Sequence, residues 1–367
     1  MYPHDSAGPA AGREQLVRYS RPIGRVVTLG AFILDVLGRP VESIPPGQES
    51  VVLQEIRATA AGTAAGPAVD LAKLGAEVAA IGALGADVIA DIIVAILDRH
   101  GVDAAGLVRK PGVQTAATML PIRPNGERPA LHVPGAMTEL RPADIDLGLV
   151  RGCDVLLLGA PDALGAIATA HDGLPAVVAA ARAGGAAVVI DMLRRGSTTD
   201  FERLAGLIGA ADWFCPNDGQ LLHLTGRPDI AAAIGDILAL GTGGVAVTLG
   251  ADGCLITTGR AGGLLHIPAP RIDVVDTTGC GDGFDAGMIA GLLLGCEPAD
   301  AARLGTACGS LVGTGLGSDA GITSLEAAVS FLGQAEPDAA ARIAARIEAR
   351  TGAGHGGARP DSRTVPA

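Results

Sequence analysis

The chain has 367 residues, 49% of them hydrophobic but only 2% aromatic, and a formal net charge of -12. That charge opposes a nucleic-acid or anionic-membrane partner, because a polyanion would be repelled overall. No apolar run approaches the roughly 18 residues of a membrane span. Met1 to Arg25 offers no continuous apolar segment for a secretory signal, so a cytoplasmic protein is expected.

Residues 1–23 and 352–367 are rich in Gly, Pro, Ala and charge without periodicity, which predicts disordered tails. Between them short β-rich runs alternate with Ala-rich helical stretches, the pattern of βαβ units around a mostly parallel sheet. Val26 to Gly30 reads as a first buried strand, and Val51 to Arg57 alternates as a half-exposed one. Val69 to Leu74 reads as a helix ended by Gly75, Val78 to Ile81 as a strand, and Ala90 to Arg99 as a helix ended by Gly101. Thr115 to Arg123 and Pro129 to Val133 alternate as antiparallel strands about the turn Pro124-Asn125-Gly126-Glu127. Strands follow at Val155 to Leu158, Ala187 to Ile190, Trp213 to Pro216 and Val245 to Leu249, with a helix over Ala176 to Ala183. Ligands of open parallel sheets collect beyond the carboxyl ends of strands, where Asp191, Asn217 and Gly250 fall.

The densest chemistry lies in Asp276-Thr277-Thr278-Gly279-Cys280-Gly281-Asp282-Gly283-Phe284-Asp285-Ala286-Gly287, a glycine-flanked turn and a carboxylate before the apolar run Met288 to Leu294. Glycines let the main chain approach a ligand, and the free amides of a helix's first turn point at an arriving anion. Asp282 stands where a bound hydroxyl could lose its proton. The dodecamer resembles the second signature of the ribokinase-like (PfkB) carbohydrate kinase family, with Cys280 where Ala is usual.

The resemblance runs from about residue 25 to 335. It implies a three-layer α/β sandwich with a mostly parallel central sheet and a small β lid. It places one domain over 24–335, lid strands near 41–58 and 112–134, and a terminal helix over 336–351. It further implies ATP-dependent phosphorylation of a hydroxyl on a small sugar or sugar-like substrate, with magnesium, with potassium as the candidate monovalent cation, and with a homodimer through the lid. Asp282 would be the general base, and the amides of Gly279, Cys280 and Gly281 the anion hole.

Other positions carry over one by one. Asp35 would bind substrate hydroxyls, as an ionised carboxylate can accept two at once, and otherwise reads as a turn or helix cap. Ala61 to Gly75 resembles the first signature, so Gly62, Gly66 and Thr115 are assigned to the substrate, although Ala61 replaces a glycine and Gly66 stands where a sugar-reading Asn is usual. Asn217, Thr248, Gly250, Asp252 and Gly253 are assigned to ATP. Asn217 and Gln220 would hold magnesium through water, with Gln220 replacing the family's acid. Gln220→Glu is therefore expected to improve metal use unless Asp218 already supplies the charge. Asp276 and Thr278 would hold a monovalent cation, or else only hydrogen-bond their own loop. Arg195 is a candidate for phosphate.

The six cysteines form no Cys-x-x-Cys pair and the histidines no ligand spacing, so no zinc site is expected. Cys280 alone is a candidate for thiol modification that blocks ATP. A nucleoside kinase is the nearest alternative, with Phe32 as a stacking ring. A weakly active sensor of sugar or nucleotide is the other, suggested by Ala61, Gly66 and Gln220.

Overall fold

The computed structural model describes residues 21–194, 196–259 and 262–352. The chain opens with β1 (Arg25–Leu29), buried from Val26 onward, and passes through a short turn into β2 (Ile33–Arg39) and β3 (Glu55–Ala61). Helix α1 (Ala65–Lys73), β4 (Glu77–Gly85), α2 (Val88–Arg99) and β5 (Asp103–Lys110) follow, then the short β6 (Ala117–Pro121) and β7 (Leu131–Val133). Alternating units continue with α3 (Leu147–Arg151), β8 (Val155–Gly159), α4 (Leu174–Ala183), β9 (Ala187–Asp191), α5 (Thr198–Gly209) and β10 (Trp213–Phe214). Then come α6 (Asp218–Thr225), α7 (Ile230–Ala239), β11 (Gly244–Thr248), β12 (Cys254–Thr258) and β13 (Leu265–Ile267). Four helices close the chain: α8 (Cys280–Leu293), α9 (Pro298–Val312), α10 (Leu325–Ala335) and α11 (Pro337–Gly352).

Nine strands form one sheet in the order β13-β12-β11-β10-β9-β8-β1-β4-β5, parallel from β11 to β5 with β12 and β13 antiparallel at one edge. Side chains of a strand alternate between faces, so Val26, Val155 and Val189 enter one core with α1, α2 and α8 to α11. Val27, Leu156 and Val188 enter a second core with α3 to α7. A three-layer sandwich results. β1 pairs with β4 on one side and β8 on the other, so the strand order reverses between β1 and β8, where a crevice opens beyond the carboxyl ends.

A second sheet, ordered β3-β2-β6-β7, forms the lid. It corrects the expected lid strands. Ile33–Arg39 forms a strand that read as a turn after β1, and the strand expected at Val51 to Arg57 starts only at Glu55 and runs to Ala61. β6 also runs parallel to β2, while β6 with β7 forms the expected antiparallel pair. The lid's base is tied to the loop after α9. Arg57 pairs with Asp319 at 2.9 Å, and the Ser318 hydroxyl donates to the Ala60 carbonyl.

Residues 21–23 do not behave as a tail: Ile23 is buried, and its amide donates to the Gly75 carbonyl at 3.0 Å. Residues 1–20 and 353–367, expected to be disordered, lie outside the described residues. Helix α8 begins eight residues before the apolar run that marked it. Gly283, Gly287 and Gly291 recur one turn apart, and a Cβ on each would meet Val312, Leu304 or Ala301 of α9. Small residues at that spacing let two helices approach closely, which fixes the start of α8 at the crevice.

Candidate active site

A cavity of about 680 Å³ lies in the crevice, between the lid and the carboxyl ends of the strands. Register builds its lid wall. Thr59, Asp35, Thr118 and His132 stand opposite one another on β3, β2, β6 and β7; Asp35, Thr118 and His132 line the cavity, and Thr59 is buried beside Ser318. Thr118 hydrogen-bonds the Asp35 carboxyl, and its hydroxyl lies 3.1 Å from His132 Nδ1. Asp35 is thus mid-strand and faces the cavity, not a cap after β1. Burial raises its pKa to about 6, against the lowering effects of Thr118 and Arg128.

The opposite wall is the start of α8. Gly279 caps the helix with φ +82, a left-handed conformation, and a Cβ there would collide with Ser318. The amides of Gly279 and Gly281 donate to no backbone acceptor among the described residues, and that of Cys280 makes only a long 3.4 Å bond to Thr277. Asp282 occupies the third helical position and lines the same cavity as Asp35. A helix start favours an ionised carboxylate. Here burial and the Asp35 charge outweigh it and push the Asp282 pKa to about 8, with Arg128 opposing.

Behind Asp282 lies a second acid layer, in which Asp285 joins the Asp191 expected at the carboxyl end of its strand. Asp285, one turn further along α8, is fully buried and hydrogen-bonded to Asp191 and Cys215. Burial first, and then the Asp282 charge, raise the Asp285 carboxyl well above the usual range against its hydrogen bonds to Cys215 and Asp191, and burial with the charges of Asp285 and Asp282 raises Asp191 likewise.

The sequence pattern of pfkB family carbohydrate kinases matches residues 24–324. The chain belongs to the pfkB family. Among curated relatives, the ATP-dependent ribose-1-phosphate kinase of Halopiger xanaduensis is 31% identical over 84% of this chain and 98% of its own. The 2-dehydro-3-deoxygluconokinase of Bacillus subtilis is 29% identical over 74% of this chain and 86% of its own. Among solved structures, the Arabidopsis thaliana ribokinase complexed with ribose and ATP superposes with a TM-score of 0.71 at 24% identity, covering 84% of this chain and 98% of that one. The protein is therefore a PfkB-type phosphotransferase with the ribokinase-like fold.

Within this pfkB kinase the cavity gathers Asp35, Gly62, Asn217, Gln220, Thr248, Thr278, Gly279, Gly281 and Asp282, so residues far apart in the chain converge as the motifs implied. Others do not line it. Thr115 is fully buried; its hydroxyl donates to Asp87 and accepts from the Gly85 amide, which makes it a brace between β4 and the lid. Gly250, Asp252 and Gly253 form the turn between β11 and β12, outside the cavity lining. Gly66 faces Asp282, and Phe32 is wholly buried against Gly82 in the core, where it cannot stack on a ligand.

Gln220 also departs from expectation. Its Oε1 accepts from the Asn217 amide while the Asn217 side chain accepts from the Gln220 amide, a reciprocal cap on α6. Its Nε2 donates to the Met192 carbonyl at 2.7 Å. A carboxylate could not make that last bond, so the amide is structural. Asp218 is exposed and accepts from the Gly219 amide, and it does not line the cavity. Among the described residues no group of three or more His, Cys, Asp or Glu could hold a metal. The oxygens of Asn217, Gln220 and Asp191 still fit magnesium that keeps its waters and arrives on nucleotide phosphates.

Asp276 is spent inside its loop, accepting from the Thr278 amide and hydroxyl and from the Gly317 amide. Cys280 does not line the cavity, and burial pushes its thiol to about 12, which removes the nucleophilic thiolate that modification requires. Arg195 lies outside the described residues; Arg194 enters the cavity wall instead, with its guanidinium on Asp162.

Proposed function

We propose that this kinase transfers the terminal phosphoryl group of ATP to a hydroxyl of a small sugar or sugar-like acceptor held beneath the lid. The observation that carries the reading is Asp282 at the start of α8, facing Asp35 across one cavity. Asp35 and its polar neighbours on the lid accept hydrogen bonds from the acceptor hydroxyls. As the acceptor O–H bond breaks, Asp282 takes the proton. The oxygen attacks the terminal phosphorus, and the bond to the ADP oxygen breaks with its electron pair on ADP.

Charge on the group in transit falls to the amides of Gly279, Cys280 and Gly281, oriented before the reaction and so costing no reorganisation. A general base works best with a pKa near the working pH, and the value of about 8 at Asp282 meets that condition. When bound, magnesium would supply positive charge to the nucleotide phosphates, and Asn217, Gln220 and Asp191 would hold it through its waters. A monovalent cation near Asp276 and Thr278 would rest on loop carbonyls, because both side chains are engaged.

The lining contains no Phe, Tyr or Trp among the described residues, which favours a sugar over a nucleoside whose base would stack. The lid's outer face carries exposed Val36, Ile56, Met119, Leu131 and Val133, which the strand register places on one side. We infer that a second copy covers it, with light scattering as the test. Dependence on ATP supports a cytoplasmic location. The decisive experiment is ATP consumption with D-ribose, D-fructose, 2-dehydro-3-deoxygluconate, ribose 1-phosphate and adenosine. Turnover with a sugar is expected, adenosine alone would move the protein to the nucleoside kinases, and no turnover with ATP bound would make it a sensor.

A further inference from the structure

Arg128 sits in the lid connection between β6 and β7 and reaches across the cavity, where its Nε donates to the Thr277 hydroxyl at 3.2 Å. Thr277 is two residues before Gly279, so the contact joins the lid to the loop that presents the amides. The same guanidinium lies close enough to Asp35 and Asp282 for its charge to act on both. Among the described residues it makes no ion pair with a carboxylate. The other cavity arginine, Arg194, is committed to the Asp162 side chain and carbonyl.

A guanidinium carries five N–H donors in a fixed fork, and one of Arg128's is used on Thr277. We propose that Arg128 is a catalytic residue, a lid-borne cation that closes on the phosphoryl group in transit. The proposal rests on the reading of the site as a phosphoryl-transfer centre. Phosphoryl transfer spreads charge over three equatorial oxygens. The α8 amides meet that charge from the floor of the cavity, and Arg128 meets it from the roof.

Location on the lid adds a consequence. The cation is in place only when the lid lies over the acceptor, so transfer to a sugar is favoured over transfer to water. The contact with Thr277, and not with Asp35, Thr118 and His132 on the wall that faces the acceptor, assigns the guanidinium to the phosphoryl group. An acidic substituent on the acceptor is the competing partner.

The test compares Arg128→Ala and Arg128→Lys with wild type in steady-state kinetics, and by calorimetry with ADP, magnesium and aluminium fluoride, which need no turnover. For Arg128→Ala, kcat should fall about 10²–10³-fold, the usual cost of removing one donor to a developing charge, with both KM values within about threefold. Affinity for the aluminium fluoride complex should fall in step while that for ADP alone is unchanged, and added guanidinium should restore part of the rate. Arg128→Lys should retain more activity than Arg128→Ala. A rise in KM confined to a sugar acid or a sugar phosphate, with kcat intact, would overturn the proposal in favour of acceptor recognition, and unchanged kinetics and affinity would leave Arg128 a surface residue. A wild type that binds the aluminium fluoride complex but phosphorylates no panel member would instead count against the proposed function.

Discussion

A Cβ built on Gly66 of α1 would lie 2.6 Å from Oδ2 of Asp282, so the first turn of α1 is shaped to that carboxylate. The space that a side chain at position 66 would take is filled by a carboxylate from α8. Gly66→Ala should therefore displace Asp282 and lower kcat at least about tenfold. Stability should hold or rise by up to about 1 kcal/mol, since Ala is the better helix former. Gly66→Asn should displace Asp282 as well and lower kcat, with a loss of stability from the larger buried side chain. Steady-state kinetics with a thermal melt on the same samples checks this; wild-type turnover in Gly66→Ala would show that Asp282 has room to move.

Gly279 and Gly281 make opposite predictions. Gly279 needs its positive φ and has Ser318 against it, whereas a Cβ on Gly281 would meet nothing within 4 Å. The open space beside Gly281 is the cavity that it lines. Gly279→Ala should lose more than about 1 kcal/mol of stability through a strained backbone. Gly281→Ala should fold as well as wild type but bind ATP more weakly and turn over slowly. Equal ATP affinity in Gly281→Ala would mean that the phosphates do not approach that amide.

What was legible in the sequence was whatever local rules govern. β1, β4, β8, β9 and β11 are buried aliphatic runs, and the glycine turn before α8 marks itself. Asp35 was assigned to the substrate but misplaced, because Ile33–Arg39 mixes an acid and a glycine into a strand whose partners, β3 and β6, lie far along the chain. Asp285 and Arg128 were invisible as functional groups for a related reason. One is defined by Asp191 and the other by Thr277, contacts that no local spacing encodes. A hint existed for Asp285, which lies three residues after Asp282 and so on the same helical face.

Gln220→Glu looked like a gain of function and the structure reverses that expectation. A carboxylate at this position would face the Met192 carbonyl in place of the Nε2 donor that now bonds it at 2.7 Å. Leaving a buried acceptor unsatisfied costs about 1–3 kcal/mol. Gln220→Glu should lower stability by that order and leave the magnesium concentration for half-maximal rate unchanged or higher. Denaturant melts and a magnesium titration measure both; tighter metal use at undiminished stability would show that the bond to Met192 does not set the role of Gln220.

The pH dependence of kcat/KM reports the free enzyme. Asp282 must be ionised to accept a proton, so kcat/KM should climb with pH, reach half its maximum at about 8, the value before ligands bind, and level off above it. The Asp35 charge raises that value, so Asp35→Asn should move the limb to lower pH even as it weakens acceptor binding. Arg128 lowers it, and Arg128→Ala should move the limb upward. A profile flat from pH 6 to 9 would remove Asp282 as the base.

The buried acids set a slope on stability as well. Burial raises the carboxyl of Asp285 far above its unfolded value of about 3.9. A group of that kind contributes fully below its unfolded pKa, and its contribution is lost as pH rises toward the folded one. Wild type should therefore melt at progressively lower temperature, relative to its own maximum, from about pH 4 upward. Asp285→Asn keeps a donor for Asp191 and needs no proton to do so. It should match wild type near pH 4 and exceed it at pH 8 by at least about 1 kcal/mol, the worth of less than one unit of raised pKa. Removing the neighbouring charge also eases ionisation of Asp191, which adds to the gain at high pH. Melts of both proteins at pH 4, 6 and 8 give the slopes directly, and parallel curves for the two would mean that Asp285 is not held protonated in the folded protein.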